Sequence, residues 1–197
     1  MKRILLVLVV AAAYSITAIA QVPVSRIIMN AHDPETGMRS LGTEYTIVRG
    51  GFTDQHPLRV GMLAVESPEG WLYSLQLTVT ELVSRPLPVG GVLLIKTTKG
   101  DIIELKNHCD AISSQDFEGV AVPGTSTITY KNKASFMITT EQIMKIGREG
   151  VQKIRLQTET GHYDTEYKKD QWGKVLSAHV KAIQEEARKK TDIHSDF

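Results

Sequence analysis

The chain has 197 residues, 42% of them apolar and 23% charged, with a formal net charge of +1 at pH 7. That balance gives no electrostatic basis for binding nucleic acid or an anionic membrane surface, and the length suits one domain with a full core. Cys109 is the single cysteine, which excludes an internal disulfide and leaves stability to packing.

Lys2 and Arg3 precede an apolar run from Ile4 to Ala13, and Ala18-Ile19-Ala20 is a small-x-small site before Gln21. This is the pattern of a secretory signal peptide over residues 1–20, cleaved after Ala20. The stretch from Ile4 to Ala20 is short for a membrane span and carries Tyr14, Ser15 and Thr17, so it is expected to be removed rather than kept as an anchor. The mature protein is then expected in the periplasm or outside the cell, with no stable membrane insertion.

Residues 21–42 carry Pro23, Pro34 and Gly37 and little periodicity, and read as an irregular lead-in in which Val22 to Ile28 could form a short edge strand. From residue 43 the pattern sharpens into a single α+β domain that runs to residue 187. Thr43 to Val48 alternates and stops at Gly50-Gly51, and Leu58 to Glu66 is the next apolar run. Ser67-Pro68-Glu69-Gly70 is a turn. It leads into the strongest strand signal of the chain, Trp71, Tyr73, Leu75, Leu77 and Val79 alternating with polar residues up to Thr80.

Two prolines and two glycines between Ser84 and Gly91 predict a connection that crosses between layers. Val92–Thr97 and Ile102–Lys106 flank a Thr98-Lys99-Gly100-Asp101 turn, a hairpin with Leu93 and Ile95 facing Ile103 and Leu105. Leu94 and Ile102 point the other way, so both faces are expected to be partly covered. Asn107 to Thr125 reads as loop, and Thr127–Tyr130 with Ala134–Ile138 reads as a second hairpin turning at Lys131-Asn132-Lys133. Thr139 and Gln142 have capping-box spacing ahead of a short helix that ends near Gly150.

Val151–Thr158 and the arm after Thr160-Gly161 form an amphipathic hairpin, with Tyr163, Thr165 and Tyr167 inward. Asp170 is placed to cap a final helix whose stripe is Trp172, Val175, Leu176, His179, Val180, Ile183 and Ala187. Residues 188–197 form a polar tail. The fold expected is α+β: a mostly antiparallel, two-layer or strongly bent sheet of about eight strands with a short internal helix and a closing C-terminal amphipathic helix.

Three stretches in the second half are similar to small exported bacterial proteins of unknown function: Leu93 to Lys96 with Gly100 to Leu105, Phe136 to Gln142, and Gly150 to Leu156. The resemblance implies an antiparallel-sheet domain with a closing helix and carries over no catalytic residue.

The chain has no Gly-x-Ser-x-Gly, no His-Glu-x-x-His and no phosphate-cradling glycine loop. Cys109 beside His108 raises a thiol nucleophile, but sequence neighbours point apart and such a thiol takes its base from elsewhere. His162, Asp164 and Glu166 alternate along one strand face, and His108 with Asp110 repeats the His-x-Asp spacing, so a divalent-metal site using all five is the chemical alternative. A solvated strand face explains the same pattern without chemistry. His179 reads as a core histidine, and Trp71 and Trp172 as packing anchors.

The lack of catalytic motifs favours a non-enzyme: an exported binding or accessory protein of the cell envelope whose partner is an envelope protein or a small ligand. A metal-binding protein or metal-dependent hydrolase, and a pleckstrin-like module binding a ligand or peptide, are the alternatives.

Overall fold

The computed structural model describes residues 24–49, 57–82, 84–109, 112–116 and 129–189. The proposed signal peptide, Asp110 and nearly all of the polar tail lie outside them. The described elements are β1 (Ile27–His32), β2 (Arg39–Thr43), β3 (Thr46–Arg49), β4 (Leu58–Ser67), β5 (Gly70–Glu81), β6 (Val92–Thr97), β7 (Ile102–Lys106), β8 (Ile112–Asp116), β9 (Thr129–Ile138), α1 (Thr140–Glu149), β10 (Val151–Thr158), β11 (Gly161–Glu166) and α2 (Trp172–Arg188). A seven-stranded sheet runs β1-β2-β4-β5-β9-β8, with β3 also paired to β4, and a four-stranded sheet runs β11-β10-β6-β7. Every pairing is antiparallel. The α+β expectation holds, with an internal and a C-terminal helix.

The Trp71–Thr80 alternation sits at the centre of the larger sheet as β5, whose neighbours are β4 and β9. Leu75, Leu77 and Val79 face the core with Leu58, Val60, Met62 and Ala64 of β4 and Ala134, Phe136 and Ile138 of β9. Leu93 pairs with Leu105 and Ile95 with Ile103, and all four lie on the buried face of the smaller sheet. The opposite face of that hairpin is more open than its sequence implied, since Ile102 is 66% exposed. The connection over residues 84–91 passes from the larger sheet to the smaller, and the β-bridge between Asn107 and Phe136 ties the two together.

Three expectations are corrected. Lys131-Asn132-Lys133 does not turn: β9 is one continuous strand, paired with β5 from Tyr73–Ile138 to Glu81–Tyr130. Strand geometry places Asn132 in the interior, where its Oδ1 accepts from the Arg85 N–H at 3.3 Å, while the two lysines point to the opposite face. Part of the 107–125 loop is β8, an edge strand on β9. The lead-in is not irregular over residues 27–43, because β1 and β2 form a hairpin at the other sheet edge. All but the first residue of β1 is exposed, so an apolar period could not mark it.

The capping box at Thr139 is formed: Thr139 Oγ1 accepts from Gln142 N at 3.2 Å and Gln142 Oε1 accepts from Thr139 N at 2.9 Å. Gly150 ends α1 at φ +73°, where a Cβ would lie 3.0 Å from Asp170. Asp170 Oδ1 accepts from Gly173 N at 3.0 Å and from Val151 N at 3.1 Å, so one carboxylate caps α2 and anchors the start of β10. α2 packs on α1 and across β1 to β4. No helix among the described residues is long and apolar enough to cross a membrane.

The N-terminal strands hold α2 by polar contacts as well. Asn30 Nδ2 donates to Glu186 at 3.2 Å, Arg39 lies 3.6 Å from the same carboxylate, and Arg39 Nη1 donates to the Lys189 carbonyl at 3.3 Å. Ser25 Oγ is 2.6 Å from Nδ1 of His179, which is fully buried and whose Nε2 makes no hydrogen bond of normal geometry. Burial pulls this imidazole down to about 4, with the Val60 main chain and Glu44 opposing more weakly. The folded state therefore binds a proton later than the unfolded chain does as pH falls. Stability is complete above the ordinary histidine pKa and is lost as pH drops from about 6.5 towards 4, by up to about 3 kcal/mol. Urea denaturation across that window, with His179→Gln flattening the dependence, checks this.

Candidate functional site

The hairpin register decides the environment of the first candidate set. Two residues, Glu159 and Thr160, separate the Thr158–Gly161 pair, which puts Gln157 opposite His162, Arg155 opposite Asp164 and Lys153 opposite Glu166. Arg155 donates to both oxygens of Asp164 at 2.7 Å, and Lys153 lies 3.1 Å from Asp164 and 3.3 Å from Glu166. The Arg155 guanidinium, helped by Lys153, holds the Asp164 carboxyl far below the usual carboxylate range. His162 Nε2 reaches only 3.9 Å from Asp164.

His108 lies elsewhere, beyond the end of β7, with Nε2 3.4 Å from Ser135 Oγ on β9. Among the described residues no group of three or more His, Cys, Asp or Glu side chains is arranged to hold a metal ion. A cation at His162 would have to displace Arg155 and Lys153 from carboxylates they already neutralise. Zinc is accordingly expected to leave the melting midpoint unchanged; a saturable rise lost in His162→Ala would contradict this. Cys109 is exposed, and its main chain is held by Asn107.

A different site lies on the outer face of the larger sheet, opposite the core. Direct cross-strand partners share a face, so the row Ile47, Arg59, Thr78 and Lys133, with Thr80 and Lys131 beside it, projects outward together. Tyr45, Arg59, Thr78, Lys131 and Lys133 line a hollow of about 400 Å³, and none of these described lining residues is acidic. The Tyr45 ring lies against Gly61 of β4, where a Cβ would sit 3.4 Å from Tyr45 Cδ1. Thr78 and Thr80 are buried although they point outward, and Arg59 Nη1 donates to Thr80 Oγ1 at 3.5 Å.

Partial burial pushes the Tyr45 phenol up, against a hydrogen bond with Thr78 that acts the other way, so the hydroxyl is a protonated donor at neutral pH. Further along the same face, Ser74 Oγ and Ser135 Oγ lie 2.6 Å apart, and Gln76 Nε2 donates to them at 3.1 and 2.6 Å respectively. This network holds a preformed polar surface next to the hollow. By contrast, the space lined by Tyr163 between the sheets amounts to about 10 Å³, room for about one water.

None of the hollow's residues was singled out by sequence reasoning. The signal that could have found them is the alternation after Tyr130, in which Asn132, Ala134, Phe136 and Ile138 face inward and Lys131, Lys133 and Ser135 outward. No family model, curated protein or solved structure matches the chain.

Proposed function

We propose that the chain is an exported, non-catalytic binding protein of the cell envelope that takes a small ligand on the outer face of its larger sheet. The observation that carries the reading is the hollow at Arg59, Thr78 and Lys133, a volume within the roughly 300–1,000 Å³ range of ligand sites, bordered by a preassembled hydroxyl and amide network. Export is supported by the basic start, apolar run and Ala18-Ile19-Ala20 site.

Expressed in a bacterial host, the protein is expected outside the cytoplasm with Gln21 as its first residue; an unprocessed cytoplasmic product overturns the export reading. Amide spectra of the recovered protein, titrated with the small-molecule fraction of the envelope, are expected to shift along β4, β5 and β9. Shifts confined to other elements, or none, overturn the binding reading.

A further inference from the structure

We propose that the open edge of β1 pairs with β1 of a second copy of this chain, antiparallel about a two-fold axis at Asn30. The inference is independent of the ligand reading above, since it uses the rim of the larger sheet and not its outer face. Sheet edges present unpaired N–H and C=O groups, and natural edge strands are guarded by charge, proline or a bulge. Among the described strands that bound a sheet, the sequences of β3, β7, β8 and β11 include Arg49, Glu104, Asp116 and Asp164 respectively. β1 contains no acid, no lysine or arginine and no proline. All but its first residue is exposed, Ile28 by 65% and Met29 by 38%. Its one guard is a bulge at Ile28, which leaves Met29 to His32 in regular register.

The ladder fixes which main-chain groups are on offer. Asp33 N donates to the Met38 carbonyl at 2.9 Å, which continues the β1–β2 pairing by one residue. Main-chain groups alternate in direction along an antiparallel strand, so those of Met29 and Ala31 turn to β2 and those of Asn30 and His32 turn to the open side. Among the described residues no strand meets them there.

Charge selects the occupant. Arg26 and Asp33, both exposed, flank the uncharged strand with opposite signs. Antiparallel self-pairing centred on Asn30 sets Ile28 opposite His32 and Met29 opposite Ala31 of the other copy. It also brings each Arg26 within one residue of the position facing the other copy's Asp33, an opposite-charge contact at both ends of the seam. Parallel pairing would put like charges together. The two-fold arrangement closes on itself, whereas β1 set against β7 or β11 of the next copy leaves an edge open and grows into a filament. Strands of six residues bury less than the roughly 1,200 Å² at the low end of stable interfaces, so the dimer is expected to dissociate in the micromolar range.

The test is sedimentation velocity with amide hydrogen exchange on the purified protein as recovered from the host, over a concentration series spanning the micromolar range. A reductant is present so that the exposed Cys109 cannot link copies. A monomer–dimer equilibrium is expected, with exchange at Asn30 and His32 slowed in the dimer alone. Ile28→Lys is expected to weaken association about tenfold by putting charge into the seam. Arg26→Glu is expected to weaken it about fivefold by setting acid beside Asp33 at both ends. Asp33→Asn keeps the oxygen that accepts from Glu35 N and Thr36 N, and added to Arg26→Glu it is expected to recover most of that loss. A monomer at every concentration overturns the proposal, as does a dimer whose β1 amides exchange as in the monomer, or one that Ile28→Lys and Arg26→Glu leave as tight as the parent. Protection of the β1 edge that does not vary with concentration gives that edge to another stretch of the same chain and overturns the second copy. Growth beyond the dimer overturns the two-fold closure.

Discussion

Asn107→Asp, which exchanges an amide for a carboxyl of nearly the same shape, is expected to cost about 3–5 kcal/mol of stability. Asn107 is 2% exposed, and its Nδ2 donates to the carbonyls of Leu87 at 3.1 Å, Pro88 at 3.1 Å and Cys109 at 3.0 Å. Its Oδ1 accepts from Ser135 N at 3.0 Å, which pins the end of β7 to β9 where the two sheets meet. The aspartate keeps the acceptor and turns the donor into an oxygen facing three carbonyls. Such a carboxyl is held protonated in the folded state and ionises freely in the unfolded one. Its pKa is thus raised by folding, and the deficit relative to the parent grows as pH rises from about 4 towards 7. Urea denaturation at several pH values reads both the size and the slope. A midpoint unchanged from the parent, or a deficit that shrinks with rising pH, contradicts the role given to the amide.

Trp172→Ala is expected to destabilise the fold by about 3–5 kcal/mol, while Trp172→Phe loses far less. Trp172 is completely buried at the first turn of α2 and meets the Tyr167 ring edge-on, with centroids 6.3 Å apart and planes at 72°. Its Nε1 has no hydrogen-bond partner. Alanine opens a cavity at the first turn of α2, the helix that packs on α1, whereas phenylalanine keeps most of the apolar contact and removes a buried donor that was unsatisfied. Denaturant midpoints should therefore fall in the order parent, Trp172→Phe, Trp172→Ala. Equal losses for the two variants would place the importance of the residue in its indole nitrogen instead.

What could be read from the sequence follows from how local its cause is. The β6–β7 register, the Thr139–Gln142 cap and the buried stripe of α2 each depend on residues a few positions apart, and all three are formed. Asp170 works as a cap for the same reason. The pairing of Arg155 with Asp164 was also within reach, because the short turn at Glu159-Thr160 fixes it, and that pairing explains why the polar face of β11 is a neutralised ion-pair surface.

Features without a local cause were hidden. β1 has almost no buried face to generate a period, and Lys131-Asn132-Lys133 looks like a turn until β5 is laid beside it and buries Asn132. Asn107 gains its role from the linker at Leu87-Pro88 and from β9, neither of which is adjacent in sequence. The hollow draws one residue each from β4, β5 and the approach to β3 and two from β9, so no motif of contiguous residues announces it.

The contacts between the first hairpin and the last helix also set an order of assembly. Ser25, Asn30 and Arg39 reach His179, Glu186 and Lys189 across 150 or more positions of chain. During synthesis, the earliest strands leave the ribosome long before the surface they dock on exists. They stay without that partner until the final turns of α2 are made, and closing so long a loop is slow. A chain cut short before Lys189 would therefore expose a two-stranded edge at its opposite end, so damage to the last helix is felt at the first strand.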